Sequence, residues 1–178
     1  MKITKIAMAM LFAAIIVSSC KTVNDALDVT FDTSFKTDLN IDVPAGTKAD
    51  INGSFSESAT IDPMGDPNVA KYADNIKSFE ITAITGKIVA INKDVNITNF
   101  NISVASATKN ASWNFPSVAV TQGTELTLSN DDGQWDTINS ILGDKDVFTV
   151  TASGVTDQDD VQFTLQITID TRVTANPL

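Results

Sequence analysis

The side chains that could do chemistry in this chain are carboxylates, hydroxyls and one cysteine, because the sequence contains no histidine. Without histidine, the Ser-His-Asp and Cys-His arrangements and the zinc sites built on those ligands cannot form. We therefore expect a non-enzymatic protein. The enzymatic alternative is a glycan-active enzyme with two acids about 5 to 10 Å apart in a cleft, and the 22 Asp and Glu residues do not reveal such a pair by spacing alone.

Three acidic clusters offer oxygen ligands of the kind that Ca²⁺ prefers. We take the densest as the candidate calcium site, because it falls within one predicted inter-strand loop: Asp157, Asp159 and Asp160. The other two clusters are Asp62 with Asp66, and Asp131 with Asp132 and Asp136. None follows the EF-hand order, and acids at such places also serve as turn and helix-cap residues. Apart from this candidate ion and a covalent lipid, the sequence indicates no cofactor.

The N-terminal segment has the three parts of a secretory signal: two lysines in Met1 to Lys5, an apolar run from Ile6 to Val17, and two serines before Cys20. An apolar run of this length is too short to span a bilayer, which takes about 20 helical residues. We therefore expect the segment to be removed and not to remain as an anchor.

The cleavage site, Val17, Ser18, Ser19 and Cys20, resembles the lipobox of bacterial lipoproteins. The resemblance implies lipidation of the Cys20 sulfur and cleavage just before it. The chain would then divide into a signal peptide (1–19), an acylated N-terminus with a short tether (20–26) and a single domain (27–178). Two or more long acyl chains anchor a protein stably without a transmembrane helix, and the lipid-modified thiol is no longer free for a disulfide.

The net charge of the chain limits the partners that it can bind. The 12 Lys and Arg residues against 22 Asp and Glu give a net charge of −10, which repels phosphate backbones and anionic lipid headgroups. We expect no nucleic acid partner and a membrane contact made through the lipid anchor. By analogy with other lipoproteins, Lys21 in place of an aspartate after the cysteine favours the outer membrane, so we expect a lipid-anchored protein of the bacterial cell envelope.

Alternation of apolar and polar residues dominates the rest of the chain and predicts antiparallel strands with one buried face. It is cleanest in residues 27–43, where we expect a long edge strand that bends or changes sheet near Thr33 and Ser34, and in residues 161–173. The apolar phase slips between Ile97 and Phe100, which predicts a bulge near Thr98 and Asn99.

Two short helices are predicted between strands. Asp66 and Pro67 suit the N-cap and first position of one helix, and Gly143 would end the other. With about seven or eight strands, the fold class is mainly β, a two-sheet antiparallel sandwich of immunoglobulin-like general shape with two short helices in its connections. Trp113 and Trp135 fall on apolar faces, which favours core packing over a sugar-binding platform.

Two stretches, DPNVAKYADNIKSFEIT and ITIDTRVTANPL, resemble segments of small uncharacterised lipoproteins of Bacteroidota. The resemblance implies placement in the cell envelope and no activity. Asp136, Thr137 and Ile138 also resemble the Asp-Ser/Thr-apolar acceptor for O-glycosylation in that group, with Thr137 as the candidate site.

The leading hypothesis is thus a membrane-anchored lipoprotein that acts as a binding or interaction module for a protein or a glycan. Its exposed sandwich edges would also allow a partner to add a strand. The alternatives are the carboxylate enzyme acting on glycans and a carrier that holds an apolar ligand between its two sheets.

Overall fold

A computed structural model describes residues 27–46 and 53–176. Eight strands make up most of this part, and two short helices and two single 3-10 turns lie in the connections. The 3-10 turns are Pro63–Gly65 and Ala73–Asn75. The helices are α1 (Pro67–Lys71) and α2 (Gln134–Asp144). The strands are β1 (Val29–Val43), β2 (Gly53–Ile61), β3 (Ile76–Ile91), β4 (Val95–Ala105), β5 (Asn110–Val120), β6 (Glu125–Thr127), β7 (Phe148–Thr156) and β8 (Val161–Ala175).

The strands form two antiparallel four-stranded sheets that pack face to face, which confirms the predicted sandwich. Sheet A has the order β1-β8-β3-β6 and sheet B the order β2-β7-β4-β5. Six of the seven connections between consecutive strands therefore cross from one sheet to the other, and β4 to β5 is the hairpin within sheet B. This order is that of a jelly roll, whereas the immunoglobulin order keeps its first two strands in one sheet.

β1 lies at the edge of sheet A, as predicted, but it does not change sheet near Thr33 and Ser34. All fifteen residues of β1 pair with β8 in one unbroken register, from Val29 opposite Ala175 to Val43 opposite Val161. β8 is equally long and offers a backbone partner at every position, so β1 stays in sheet A past the polar residues at its middle.

The predicted bulge in β4 is confirmed. The pairing of β4 with β7 shifts register between Thr98 and Asn101, and Asn99 has φ of 50°. Asparagine tolerates this left-handed backbone better than most residues. The extra residue lets Ile97 and Phe100 both point into the core, where each is fully buried, although they are three positions apart.

Asp66 caps α1 as predicted: its carboxylate accepts hydrogen bonds from the backbone N–H groups of Asn68 (2.7 Å) and Val69 (3.2 Å).

α2 extends one residue beyond Gly143, where it was predicted to end. It ends at Asp144, where Lys145 adopts φ of 60° and its N–H bonds to the Leu142 carbonyl. The Lys145 ammonium also reaches the Ala73 carbonyl, a tertiary contact that the local sequence could not indicate.

The sandwich has two ends, which we name after residues of β1. The Leu27 end is where the described chain begins, and it carries residues 62–75, 106–109 and 128–147. The Val43 end carries the turns 44–46, 92–94, 121–124 and 157–160. At about 3.3 Å per strand residue, β1 alone spans roughly 45 to 50 Å between them.

Aromatic rings join the two sheets across the core. Phe163 of sheet A meets Phe55 of sheet B edge to face, with ring centroids 5.5 Å apart. Phe100 then contacts both Phe55 (6.2 Å) and Phe115 (6.0 Å). Aromatic pairs of this kind add about 0.5 to 1.5 kcal/mol beyond the burial of their surface. The space between the sheets is therefore filled by side chains.

We expect the substitution Gly154→Ala to destabilise the fold. A Cβ at this β7 position would lie 2.7 Å from Cγ2 of Ile97 and 3.1 Å from Cζ of Phe55. Overpacking of this kind costs roughly 1 to 3 kcal/mol, and urea or thermal unfolding measures it. The control is Gly143→Ala in α2, where no atom lies within 4 Å; alanine there should leave stability unchanged or raise it by up to about 1 kcal/mol. Wild-type stability of Gly154→Ala would contradict this packing.

Candidate functional site

The outer surface of sheet A is a continuous polar face, because every even-numbered residue of β1 and of β8 points away from the core. Side chains directly opposite each other on these strands are joined by hydrogen bonds. The pairs are Arg172 with Asp32, Asp170 with Ser34, Gln166 with Asp38, Thr164 with Asn40, and Gln162 with Asp42. Such cross-strand pairs each contribute a few tenths of a kcal/mol up to about 1 kcal/mol.

At the Val43 end, this polar face forms a pocket of about 520 Å³. We call it the carboxamide pocket and define it by its polar lining: Asn40, Asp42, Asn92, Gln162 and Thr164. β1 and β8 supply four of these residues at even positions, and Asn92 follows the last residue of β3. The pocket thus joins three strands that are neighbours in sheet A.

Asn92 is held in place by the backbone around it. Its Oδ1 accepts a hydrogen bond from the N–H of Gln162 (3.0 Å), and its Nδ2 donates to the carbonyl of Asp160 (3.0 Å). The backbone N–H of Asn92 donates to the Gln162 carbonyl (3.0 Å). The wall of the pocket on the β3 side is therefore fixed before any ligand arrives.

The other pocket residues keep spare hydrogen-bonding groups. Asn40 uses its Oδ1 to accept from Thr164 (3.0 Å), and Asp42 uses one oxygen to accept from Gln162 Nε2 (3.4 Å). Within the described ranges, Nδ2 of Asn40, the second Asp42 oxygen and Oε1 of Gln162 have no partner. The pocket thus offers a donor and two acceptors to a ligand.

The pocket lining contains one carboxylate and no lysine or arginine. Lys93, next in sequence to Asn92, directs its ammonium group to the Asp159 carbonyl. A phosphate or carboxylate ligand would therefore meet Asp42 without a compensating cation. The arrangement suits an uncharged polar ligand.

The predicted calcium residues lie in the β7–β8 turn beside this pocket, but the carboxylates of Asp157 and Asp159 bind separate partners, and Asp160 makes its contacts through its backbone. Asp157 accepts hydrogen bonds from the backbone N–H and from Nδ2 of Asn96, both at 3.0 Å. Asp159 accepts from the N–H of Gly46 (2.7 Å). Asp160, with φ of 50°, donates its own N–H to the Pro44 carbonyl (3.3 Å).

These contacts connect the β7–β8 turn to β4 and to the chain after β1, so the acids hold the Val43 end together. Across residues 27–46 and 53–176, no group of three or more acidic, histidine or cysteine side chains is placed to hold a metal ion. Acids of the other two clusters act as turn and helix-cap residues, the alternative role that the sequence offered, and Asp66 also accepts a hydrogen bond from Thr33 of β1 (2.6 Å). Asp62 accepts from the N–H of Met64 (2.9 Å), and Asp131 from the hydroxyl of Ser129 (2.6 Å).

Both tryptophans serve the core, as predicted. Trp113 is 5% exposed and donates from Nε1 to the Ser129 carbonyl (2.7 Å). Trp135 is partly buried against the core and donates from Nε1 to the Leu128 carbonyl (2.9 Å). Together they fix the segment between β6 and α2.

Thr137, the candidate glycosylation site, lies in the first turn of α2, where its hydroxyl donates to the Gly133 carbonyl (3.4 Å).

The lipobox residues Val17, Ser18, Ser19 and Cys20 lie outside the described residues. In the part of the chain that is described, no helix is long and apolar enough to cross a membrane.

Asn40, Asn92 and Gln162 were not candidate site residues in the sequence. Asn40 and Gln162 occupy polar positions within strands, and Asn92 follows a strand. At all three positions a carboxamide is an ordinary solvent-facing residue. In the sequence these residues share nothing except their carboxamide side chains. That they are neighbours follows only from the position of β8 between β1 and β3.

No protein-family model matches this chain, and no curated protein matches it. Among solved structures, it is similar to the decameric BFDV capsid protein, with 10% identity, a TM-score of 0.46, and coverage of 82% of this chain and 99% of that chain. It is also similar to desmodium yellow mottle tymovirus (8% identity, TM-score 0.32, 84% and 90% covered) and to tobacco necrosis virus (12%, 0.32, 79% and 82%).

Within residues 27–46 and 53–176, three carboxyl groups have a shifted pKa, and each shift is downward. Burial raises the pKa of Asp66, but hydrogen bonds from the Thr33 hydroxyl (2.6 Å) and from two backbone N–H groups outweigh it and hold the pKa below its usual value. The N–H and the side chain of Asn96 lower the pKa of Asp157, and Lys87 lowers that of Glu125.

We expect Asp66→Ala to lower the free energy of unfolding by about 1 to 2 kcal/mol at pH 7, the usual cost of losing an N-cap. Because the folded-state pKa of Asp66 lies below the usual 3.8, this contribution is complete above the unfolded-state pKa. It is lost as the pH falls through the folded-state pKa. Urea unfolding from pH 7 to pH 3 should show wild type and variant converging below about pH 4. Exposed Asp146→Ala is the control, and a pH-independent difference for Asp66→Ala would contradict the assignment.

Proposed function

We propose that this chain is a lipid-anchored protein of the bacterial cell envelope, without enzymatic activity, that binds an uncharged, hydroxyl-rich glycan in the carboxamide pocket. The observation that carries the proposal is the set of unused donor and acceptor groups of Asn40, Asp42 and Gln162 in a pocket without a cation. The anchor rests on the lipobox at Cys20 and on the resemblance to Bacteroidota lipoproteins.

Glycan hydroxyls match this pocket because each hydroxyl both donates and accepts a hydrogen bond. A sugar ring can donate to the free Asp42 and Gln162 oxygens while accepting from Nδ2 of Asn40. Its neutrality avoids the repulsion that an anion would meet at Asp42 and across a chain of net charge −10. The pocket is shallow and contains no exposed aromatic ring, so we expect weak binding at each site.

The three carboxyls with a shifted pKa give the carboxylate-enzyme alternative no support. A glycosidase holds one carboxyl protonated at working pH by raising its pKa. The shifted carboxyls within the described residues, Asp66, Glu125 and Asp157, are all shifted the other way. The carrier alternative needs space between the sheets, and that region is occupied by the contacts among Phe55, Phe100 and Phe163.

We expect Asn40→Ala and Gln162→Ala each to weaken glycan binding about fivefold, since each removes a hydrogen bond worth roughly 1 kcal/mol. The probes are neutral oligosaccharides of glucose, mannose and N-acetylglucosamine, and binding is read by NMR titration of backbone amides at 27–46 and 90–93. Asp42→Asn should change affinity less, because the NH₂ group that replaces the free oxygen can still hydrogen-bond a sugar hydroxyl, now as a donor.

The matched control is Gln166→Ala. Gln166 lies on β8, on the same face, and makes the same kind of bond as Gln162, here to Asp38 (3.0 Å), but it does not line the pocket. Its variant should bind as wild type does. Shifts confined to other surfaces, or an equal loss in Gln166→Ala, would argue against the pocket as the site.

For the anchor, we expect intact-mass analysis of membrane-extracted protein to show acyl mass on a chain that begins at Cys20. The variant Cys20→Ala should lose that mass and leave the membrane fraction, because no acceptor sulfur remains. Lys21→Ala is the control and should keep its acylation. A Cys20→Ala protein that stays membrane-bound without acyl mass would show that something else holds it there.

A further inference from the structure

We infer that the Leu27 end of the sandwich rests on the lipid bilayer, and that the domain stands end-on with the carboxamide pocket facing away. This inference rests on the proposed lipid anchor at Cys20. It adds a second contact with the membrane, made by the folded domain itself.

The exposed large apolar side chains of the described residues all lie at this end. They are Leu27 (41% exposed), Val29 (36%) and Val147 (55%). Val147 belongs to the Leu27 end because it precedes Phe148, which pairs with Ile61, the last residue of β2. The polar face and the Val43 end show no comparable apolar exposure in the ranges that the structure describes.

Amphipathic side chains, Lys71 and Tyr72, lie at the same end of the sandwich. The rings of Phe31 and Tyr72 are 5.5 Å apart, and the Lys71 ammonium lies 4.8 Å from the Tyr72 ring centroid. Tyrosine and lysine are suited to the membrane interface because their apolar bodies can enter the headgroup region while their polar tips stay wet.

Charge opposes this contact. The loops of the Leu27 end, together with Asp28 and Lys77, carry nine acids and four lysines, and the ion pair of Lys77 with Asp28 (2.8 Å) neutralises one of the acids. The excess of acids repels anionic lipids. We therefore expect the contact to depend on the apolar side chains and to weaken when the bilayer contains anionic lipid, less so at high salt.

The length of the predicted tether brings this end to the membrane. Residues 20–26 reach at most about 25 Å when fully extended, roughly half the 45 to 50 Å span of β1. Acylation at Cys20 therefore holds Leu27 near the headgroups. The apolar side chains at that end then favour its direct contact with the bilayer. This contact places the pocket at the far end of the sandwich, away from the membrane.

The test labels cysteines that are introduced one at a time. Labelling is specific to the introduced residue because Cys20 is the one natural cysteine and would be acylated. Val147→Cys places an environment-sensitive fluorophore at the Leu27 end, and Gln122→Cys places it at an exposed turn of the Val43 end. The acylated proteins are incorporated into phosphatidylcholine vesicles that contain brominated lipid. We expect severalfold stronger quenching at position 147 than at 122 in these neutral vesicles, and a smaller difference when anionic lipid is added at low salt.

A second variant separates tethering by the acyl chains from direct contact between the Leu27 end and the bilayer. Replacing both apolar residues, Leu27→Ser with Val29→Ser, should reduce quenching of the label at 147 while the protein stays with the vesicles. Equal quenching at 147 and 122 in acylated protein, or no effect of the double replacement, overturns the contact of the Leu27 end with the bilayer and leaves the anchor intact. Protein without acyl mass overturns the proposed anchor and this inference together.

Discussion

The architecture depends on the burial of one face of each sheet against the other, and the contact between Phe163 and Phe55 is where the two faces meet most directly. The rest of the packing is arranged around it. Gly154 leaves the space that Phe55 and Ile97 occupy, and Gly53 lets the start of β2 approach Val43 so closely that a Cβ would lie 1.9 Å from a valine methyl carbon. The bulge at Asn99 keeps Phe100 in the same aromatic row. Sheet geometry is thus adjusted locally so that the core stays full.

The same constraint creates the polar face. Because strand side chains alternate, fixing Phe163, Leu165 and Ile167 in the core forces Gln162 and its even-numbered neighbours outward. β1 is subject to the same parity, so its even residues stand directly opposite those of β8. The cross-strand hydrogen bonds, and the pocket at their Val43 end, follow from a register that the core imposes. A one-residue slip of β1 would bury Asp42 and abolish both.

Local signals predicted much of this fold, and long-range pairing explains what they missed. Alternation identified the long strands, the phase slip at Ile97 and Phe100 identified the bulge, and Asp66 with Pro67 identified the start of α1. The change of sheet expected near Thr33 and Ser34 does not occur because β8, whose residues opposite these two lie more than 130 positions along the chain, pairs with β1 throughout. The carboxamide pocket was out of reach for the same reason. Asn40 and Gln162 are adjacent only because the chain returns β8 between β1 and β3, and no local pattern encodes that order.

Anchoring and weak recognition fit together physically in the proposed function. A shallow, neutral pocket with a few hydrogen-bonding groups cannot supply high affinity alone, because those groups must exchange water for ligand at little net gain. Many copies tethered to one membrane raise the effective concentration for a repetitive glycan, which can then engage several pockets at once. That advantage exists only if the pockets face the same way. A domain that stands on its Leu27 end presents every carboxamide pocket outward at a common height, roughly the length of β1 above the bilayer.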